Sequence, residues 1–394
     1  MKWRFRLGAA LGNTLEYYDV AVFAAISMYL SAELERLGYS QATEMVWGIF
    51  ALRFIIRPVG GYVIGRYADR VGKKSALILT SFITGTATLC MALLPIELLG
   101  AYTPMAILVL QMALSLSFAG EYPSLITYLF ASTTRHEQAK VSSIISGSSV
   151  LGVILSLSLV FILERMLTPE VMQSIGWRIP LFLGVVNIMI SFWFRVKLPN
   201  QVIATKNNGA INWLQASHIF LLTIPGTVIF FAQNISASII IEKIHITDLK
   251  SIYGITLSCS LLICMLICGW LTDKYSSPEK VFNLGVLGMV ILSVPLYIAI
   301  SQSSTIFLIL SQAIMTIYAA MILCNFSYML SQVAQGKVAT LAFGFNIAAT
   351  VLGGITPLVI NYLVEINLFF VGIFLAVCGV SRFVVYRLPK LTLN

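Results

Sequence analysis

The chain has 394 residues, of which 58% are hydrophobic and only 10% are charged, and its mean hydropathy is +0.91. A soluble domain carries about a quarter charged residues, so this composition excludes a water-soluble globular protein and predicts an all-α membrane protein. The formal net charge of +9 is explained by basic loops that face anionic lipid, so we expect no nucleic-acid binding.

The first apolar run follows the basic residues Lys2, Arg4 and Arg6. It is longer than the roughly 20 residues that a membrane span needs, it includes Glu16 and Asp19, and no small-residue cleavage site interrupts it. We therefore expect a retained first span and not a cleaved signal peptide.

Apolar runs of about 20 residues predict twelve membrane spans along the chain. They cover residues 8–31, 43–67, 75–95, 104–131, 139–164, 177–197, 214–241, 250–272, 279–300, 305–332, 337–364 and 367–388. The most polar connection follows the sixth run. We therefore expect a six-helix bundle at residues 1–197, a cytoplasmic linker at 198–213 and a second six-helix bundle at 214–394.

The distribution of basic residues orients these spans. With both termini in the cytoplasm, eighteen of the 25 lysines and arginines fall on the cytoplasmic side, Arg195 among them, and five fall on the other side. Two more, Arg53 and Arg57, lie within a span. This bias follows the positive-inside rule, so it supports cytoplasmic termini and a multi-pass protein of a bacterial inner membrane.

The chain carries no recognisable motif for a cofactor or a reaction. All six cysteines lie in apolar runs without metal-ligand spacing, and no Walker loop, His-Glu-x-x-His or Gly-x-Ser-x-Gly occurs. We expect no enzyme activity, no cofactor and no bound metal.

A short repeat relates the two halves. Gly65 to Arg70 follows the second run and Gly269 to Lys274 follows the eighth, and both read Gly-x-x-x-Asp-basic. The repeat stands at the same turn of each half, which indicates duplication. Two similar six-span halves, related by an axis along the membrane normal, are the architecture of major facilitator transporters.

The longer stretch Gly65 to Lys74 resembles the signature loop of the major facilitator superfamily, Gly-x-x-x-Asp-Arg-x-Gly-Arg-Arg. The glycines permit close helix approach and a tight turn, and Asp69 can face a helix amino terminus or a basic partner across the interface of the halves. The resemblance implies a conformational latch. Its residues would be Gly65, Asp69, Arg70, Gly72, Lys73, Lys74 and, in the second half, Asp273.

Further segments resemble the metabolite:proton symporters, a family that includes permeases for proline and betaine, shikimate, α-ketoglutarate and citrate. They are Glu16-Tyr17-Tyr18-Asp19, Arg57-Pro58-Val59-Gly60-Gly61, Gly120-Glu121-Tyr122-Pro123, Gly176-Trp177-Arg178-Ile179-Pro180, Gly344-Phe345-Asn346 and Gly353-Gly354-Ile355-Thr356-Pro357. The chain departs from the pattern at Ala119, where the family has a glycine, and Arg53 has no counterpart. The fifth run lacks the Gly-Pro pair of drug antiporters, which favours symport over drug antiport.

Five charges are predicted to share one layer near mid-membrane. Counted along their helices, Glu16, Asp19, Arg53, Arg57 and Glu121 lie roughly 12 to 18 Å from the cytoplasmic ends of their spans. Buried charges normally face a partner or a water-filled cavity, and an excess carboxylate there can bind a proton. We expect Asp19 or Glu121 to carry the proton and Arg57 to be the charge partner, with Glu16 in the same cluster. The alternative is a permanent ion network that fixes helix packing.

The substrate is expected to contact polar and aromatic residues of both halves. Arg53 is the candidate anchor for a substrate carboxylate. The other candidates are Tyr17, Tyr122, Gln233, Asn234, Tyr318, Asn325 and Asn346, each of which could instead join helices to one another.

We therefore expect proton-coupled uptake of a small organic acid or polycarboxylate by alternating access, in a protein that acts as a monomer in the lipid bilayer. A proline- or betaine-type zwitterion and a carboxylate siderophore are alternative substrates. The alternative outside transport is a membrane receptor or enzyme on the same scaffold.

Overall fold

A computed structural model describes residues 2–200, 210–234, 250–302 and 304–385, and all regular structure within these ranges is helical. The long helices of the first half are α1 (Trp3–Arg36), α2 (Ala42–Ile55), α3 (Arg57–Val71), α4 (Lys73–Ala92), α5 (Thr103–Phe130), α6 (Gln138–Met166) and α7 (Ile179–Val196). Those of the second half are α8 (Trp213–Asn234), α9 (Lys250–Tyr275), α10 (Pro278–Ile300), α11 (Thr305–Ala334), α12 (Val338–Ala348), α13 (Thr356–Ile366) and α14 (Leu368–Val384). The predicted all-α class is confirmed.

Ten of the described helical segments are long and apolar enough to cross a membrane. Helix α1 and the shorter apolar helix α14 also follow predicted spans. The number of twelve spans and the cytoplasmic termini stay predictions. Most of the predicted linker and residues 235–249, which comprise the end of the predicted seventh span and its connection to the eighth, lie outside the described residues.

Two predicted spans are broken helices, and a proline lies at each break. Helices α2 and α3 meet at Ile56, because Pro58 has no N–H and its ring crowds the carbonyl of Phe54. Helices α12 and α13 are separated by a π-helical turn, Ala349–Gly353, and Pro357 stands in the first turn of α13. Both breaks lie beside the interface of the two halves.

The halves meet along two seams. In one seam α12 packs against α3 and α5, and in the other α9 and α11 pack against α6. Glycines allow close approach in both: a Cβ on Gly65 would lie 2.7 Å from the Ala339 Cα, and one on Gly269 would lie 2.6 Å from the Ser143 Oγ. The two glycines of the sequence repeat therefore mark equivalent seams.

Candidate functional site

A central cavity lies between the two halves. Its walls come from α1, the α2–α3 break, α5 and α6 on one side and from α8, α11, α12 and the π-helical turn on the other. The space open to water-sized molecules is about 50 Å³. Small-molecule pockets usually measure about 300 Å³ or more, so the cavity in this conformation has room for water molecules but not for a metabolite.

Arg57 provides the positive charge of the cavity. It is the first residue of α3, and its guanidinium lies 4.7 Å from the centre of the Phe54 ring. Among the described residues that line the cavity, no other is charged at neutral pH. A guanidinium in an apolar site can bind a carboxylate through paired charge-assisted hydrogen bonds, which makes Arg57 a candidate contact for an anionic group.

Seven of the other sixteen described lining residues are aromatic. Tyr17 contacts Phe230 edge to face with ring centres 5.2 Å apart, and Tyr122 and Phe345 lie 5.0 Å apart. The predicted site residues Tyr17 and Tyr122 thus both line the cavity. The sequence reasoning missed its phenylalanines, because a Phe in an apolar run gives no signal that separates cavity wall from lipid-facing surface. They are Phe54, Phe230, Phe231, Phe326 and Phe345.

Asp19 and Arg53 form a buried polar cluster that the described cavity wall does not include. Arg53 donates a hydrogen bond to Gln111 Oε1, and its guanidinium lies 5.0 Å from the centre of the Phe50 ring. Asp19 is buried and lies within electrostatic range of Arg53. The two residues therefore lie near each other, and direct pairing of their charges stays a prediction. Arg53 is not among the described residues that line the cavity, so its expected role as a substrate anchor also stays a prediction. The Glu16 side chain lies outside the described residues.

Glu121 does not join this cluster, which corrects the expected grouping of five charges. Its carboxylate forms an ion pair with Arg195 of α7, inside the first half. The sequence reasoning counted Arg195 with the cytoplasmic side, because it lies near the end of the predicted sixth span; in the structure it stands one residue before the end of its helix. Its long side chain instead points back into the bundle and is buried.

The polar candidates of the second half bond to other residues of that half. Gln233 accepts a hydrogen bond from Gln312 at 2.7 Å, Asn234 accepts one from Ser258 at 2.9 Å, and Tyr318 lies 3.1 Å from the Ser293 hydroxyl. Asn325 donates to the Met321 carbonyl of its own helix. None of the four is among the described residues that line the cavity. The bonds of Gln233, Asn234 and Tyr318 connect different helices, as in the helix-joining alternative.

The two repeat aspartates bind helix amino termini across the interface. Asp69 accepts hydrogen bonds from the backbone N–H groups of Val338 and Ala339, at 2.8 and 2.9 Å, where α12 begins. Asp273 accepts from Ala139 and Lys140 at the same two distances, where α6 begins. A carboxylate at this position satisfies free N–H donors and interacts favourably with the helix dipole. Of the two partners expected for Asp69, the helix terminus is the one observed.

The other residues of the signature loop support this contact. Gly72 has φ of 127°, a conformation that favours glycine, and it turns the chain from α3 into α4. Lys73 donates to the Thr127 carbonyl at 3.2 Å. Arg70 is exposed and Lys74 is half-buried.

Two side chains of the second half bond to carbonyls that prolines leave free. Pro58 and Pro123 cannot donate to the carbonyls four residues earlier, those of Phe54 and Ala119. Thr350 donates to the Phe54 carbonyl at 3.0 Å. Asn346 donates to the Ala119 carbonyl at 2.7 Å and to Ala342 of its own helix. Asn346, a predicted substrate residue, therefore joins the halves and is not part of the described cavity wall.

Comparison with known proteins places this geometry in a family. The Major Facilitator Superfamily profile matches residues 9–358. A putative proline/betaine transporter of Staphylococcus aureus (strain MSSA476) is 26% identical and is aligned over 91% of this chain and 81% of its own length. The citrate-proton symporter of Klebsiella pneumoniae is 25% identical over 91% of this chain and 86% of its own.

A structure of the proton:xylose symporter bound to 6-bromo-6-deoxy-D-glucose has the same fold, with a TM-score of 0.80 and 16% identity. The alignment covers 98% of this chain and 96% of that one. The family match over most of the sequence, the shared fold, and the signature loop that binds a helix terminus across two halves together show that the chain belongs to the major facilitator superfamily and is related to its metabolite:proton symporters.

Proposed function

We propose that the chain is a proton-coupled symporter that takes up a small carboxylate-bearing metabolite by alternating access. The observation that carries the proposal is the central cavity between the halves, whose described wall combines Arg57 with aromatic rings. Relatives named as a citrate-proton symporter and a proline/betaine transporter support coupling to protons and a small charged substrate.

The closed seams indicate how transport proceeds. Both repeat aspartates hold the latch side shut, and the cavity is too small for a metabolite. The substrate therefore enters and leaves only when the halves rock apart at one face or the other. From the distribution of lysines and arginines we propose that the latch side faces the cytoplasm, in a bacterial inner membrane.

Arg57 and one of two buried carboxylates, Asp19 or Glu121, are the proposed link between the substrate and the proton. Asp19 is buried beside Arg53, only two residues from Tyr17 of the cavity wall. When the substrate carboxylate binds Arg57 it adds a negative charge to an apolar region, and a proton taken up by a nearby carboxylate restores neutrality. Binding of the proton then favours binding of the substrate, and binding of the substrate favours binding of the proton.

The wall supports one carboxylate better than several. Arg53 is not among the described residues of the wall, so a polycarboxylate would meet one described positive charge there, that of Arg57. A zwitterion is the second candidate substrate, and the aromatic wall favours it: Tyr17, Tyr122 and Phe345 can surround an ammonium group, which the face of an aromatic ring attracts. A monocarboxylate with an apolar tail fits the same wall.

Uptake into proteoliposomes tests the proposal. Radiolabelled glycine betaine, proline, citrate and α-ketoglutarate are each offered to the reconstituted chain with and without an imposed pH gradient, inside alkaline. We expect accumulation of at least one probe that collapses with the gradient. Uptake indifferent to the gradient would remove the proton from the proposal, and binding that saturates without accumulation would favour a receptor.

A further inference from the structure

We propose that the Glu121–Arg195 ion pair is a proton-binding site inside the first half, separate from the substrate cavity, and that α5 carries its state to the interface of the halves. This inference rests on the proposed proton coupling and adds Arg195 to it. The sequence had counted Arg195 with the cytoplasmic side, near the end of the sixth span, and had given Arg57 as the charge partner of Glu121.

The pair is built as a specific site. Both side chains are buried, with 1% of Arg195 and 3% of Glu121 exposed. Arg195 also donates to the Leu77 carbonyl at 3.0 Å and to the Ser81 hydroxyl, so two bonds hold its guanidinium against α4 while a third holds Glu121. Gly12 of α1 completes the site, because a Cβ there would overlap the guanidinium.

The surroundings leave Arg195 as the charge that acts on Glu121. A small space beside the pair is lined by Gly12 of α1, Ser81 and Thr84 of α4, Phe118 of α5, and Ile188 and Ser191 of α7. Apart from the pair, no described residue of this lining is titratable or charged. The space has about 10 Å³ for water-sized molecules, roughly the room of one water, and the buried Ser191 hydroxyl has no hydrogen-bond partner among the described residues.

Protonation changes the charge of this site from zero to +1. The proton adds to a Glu121 carboxylate oxygen, and the neutral acid no longer balances the guanidinium. A lone cation is unstable in a low-dielectric bundle. Arg195 stands one residue before the end of α7, so its side chain can turn towards the aqueous phase on the latch side. Protonation therefore opposes the closed arrangement in which the pair is intact.

Helix α5 connects this site to the interface. The next residue, Tyr122, lines the cavity and lies 2.9 Å from the Ser327 hydroxyl of the second half. Pro123 frees the Ala119 carbonyl, which accepts from Asn346. One turn of α5 thus holds the ion pair on one face and two bonds across the halves on the other, and Pro123 makes this turn easier to bend.

The transport test compares Glu121→Gln with the wild type in proteoliposomes. If one proton accompanies each substrate, a gradient of about one pH unit can drive roughly tenfold accumulation. We expect Glu121→Gln to lose this accumulation but to retain counterflow, the exchange of labelled for unlabelled glycine betaine, proline or citrate.

Arg195→Lys keeps the positive charge, and we expect this variant to retain coupling of uptake to the proton gradient with a shifted pH profile. It supplies the test if Glu121→Gln does not fold.

Glu137→Gln is the matched control, since Glu137 also pairs with a buried arginine, Arg6, at 2.8 Å, but lies partly exposed. We expect the Glu137→Gln variant to accumulate the labelled probe to the same level as the wild type. If the wild type ignores the pH gradient, the proposed function fails. If the wild type is gradient-driven and Glu121→Gln accumulates equally well, only the present inference fails.

A second measurement needs no transported probe. Infrared difference spectra between acid and neutral pH detect the C=O stretch of a protonated carboxylic acid. We expect one component of that band to be present in the wild type and in Glu137→Gln and to be missing in Glu121→Gln. An identical band in all three proteins would overturn the proposal.

Discussion

Arg57 differs from the other buried arginines in what surrounds it. Arg53 and Arg195 bond to described polar partners inside the first half, whereas Arg57 lines the space between the halves. Burial alone therefore does not identify a substrate anchor. The distinguishing feature is that the Arg57 side chain lines the central cavity, whereas those of Arg53 and Arg195 are not among its described lining residues.

We expect Arg57→Gln to weaken substrate binding. A hydrogen bond to a charged group contributes about 1.5–3 kcal/mol, so its loss raises the half-saturation concentration for uptake roughly tenfold or more. Initial uptake rates over a range of concentrations measure this value. Arg165→Gln, an exposed arginine at the end of α6, is the control and should match the wild type. An unchanged half-saturation concentration in Arg57→Gln would contradict the assignment.

At the scale of helices, close approach depends on glycines whose missing Cβ leaves room for a neighbouring backbone. Gly152 of α6 lies against α1 so closely that a Cβ would be 2.2 Å from the Thr14 carbonyl oxygen. A backbone atom cannot swing away as a side chain can. The helices themselves would have to separate.

We therefore expect Gly152→Ala to destabilise the protein by about 1–3 kcal/mol, the usual effect of overpacking. Thermal denaturation of the purified protein measures the change. Gly48→Ala is the control, because no atom lies within 4 Å of a Cβ at that helical position, and it should be neutral or slightly stabilising. Equal effects of the two substitutions would contradict the packing argument.

Hydrogen bonds to the backbone carbonyls that Pro58 and Pro123 leave free are a second kind of contact between helices. Thr350 and Asn346, one turn apart, bond to the broken region of α2–α3 and to α5, respectively. In lipid, a freed carbonyl needs such a donor from a neighbouring helix. These two bonds favour the arrangement in which the halves are closed against each other.

Thr350→Val keeps the shape of the side chain and removes the donor. We expect it to destabilise the closed arrangement by about 0.5–1.5 kcal/mol, because the Phe54 carbonyl loses its hydrogen-bond donor from the second half. Hydrogen exchange of the α12 amides, followed by mass spectrometry, should be faster than in the wild type. Thr350→Ser retains the hydroxyl and should exchange at the wild-type rate; faster exchange in Thr350→Ser as well would count against the bond.

At the scale of the whole molecule, the two halves close through equivalent contacts. Asp69 binds the start of α12 and Asp273 binds the start of α6. Because both contacts hold the same closed state, their free energies act on one equilibrium. The sequence repeat is thus also a repeat of contacts.

We expect Asp69→Asn and Asp273→Asn each to weaken the latch by about 0.3–1 kcal/mol through loss of the charge at the helix terminus, and the double variant to combine both effects. Counterflow rates and exchange of the α6 and α12 amides measure the shift. Glu35→Gln, an exposed carboxylate near the end of α1, should change neither. A double variant no different from either single one would show that the two contacts do not share an equilibrium.

Composition and motif spacing alone determined the class of protein, the approximate helices and the signature loop. They could do so because lipid demands apolar helical segments. The signature loop was recognisable because Gly65 and Gly72 allow a close approach and a turn that other residues hinder, and because Asp69 supplies the carboxylate that binds the helix terminus. Tyr17 and Tyr122, which the sequence named as candidate substrate contacts, both line the central cavity.

The tertiary structure decided which buried charges meet. Depth along a helix gives one coordinate, but the partner also depends on helix rotation, tilt and side-chain reach. Glu121 therefore pairs with Arg195, whose guanidinium turns back into the bundle from the helix end, and not with Arg57 at a similar predicted depth. The same holds for Asn346: only packing between the halves could show that its amide bonds to a carbonyl freed by a proline in another helix.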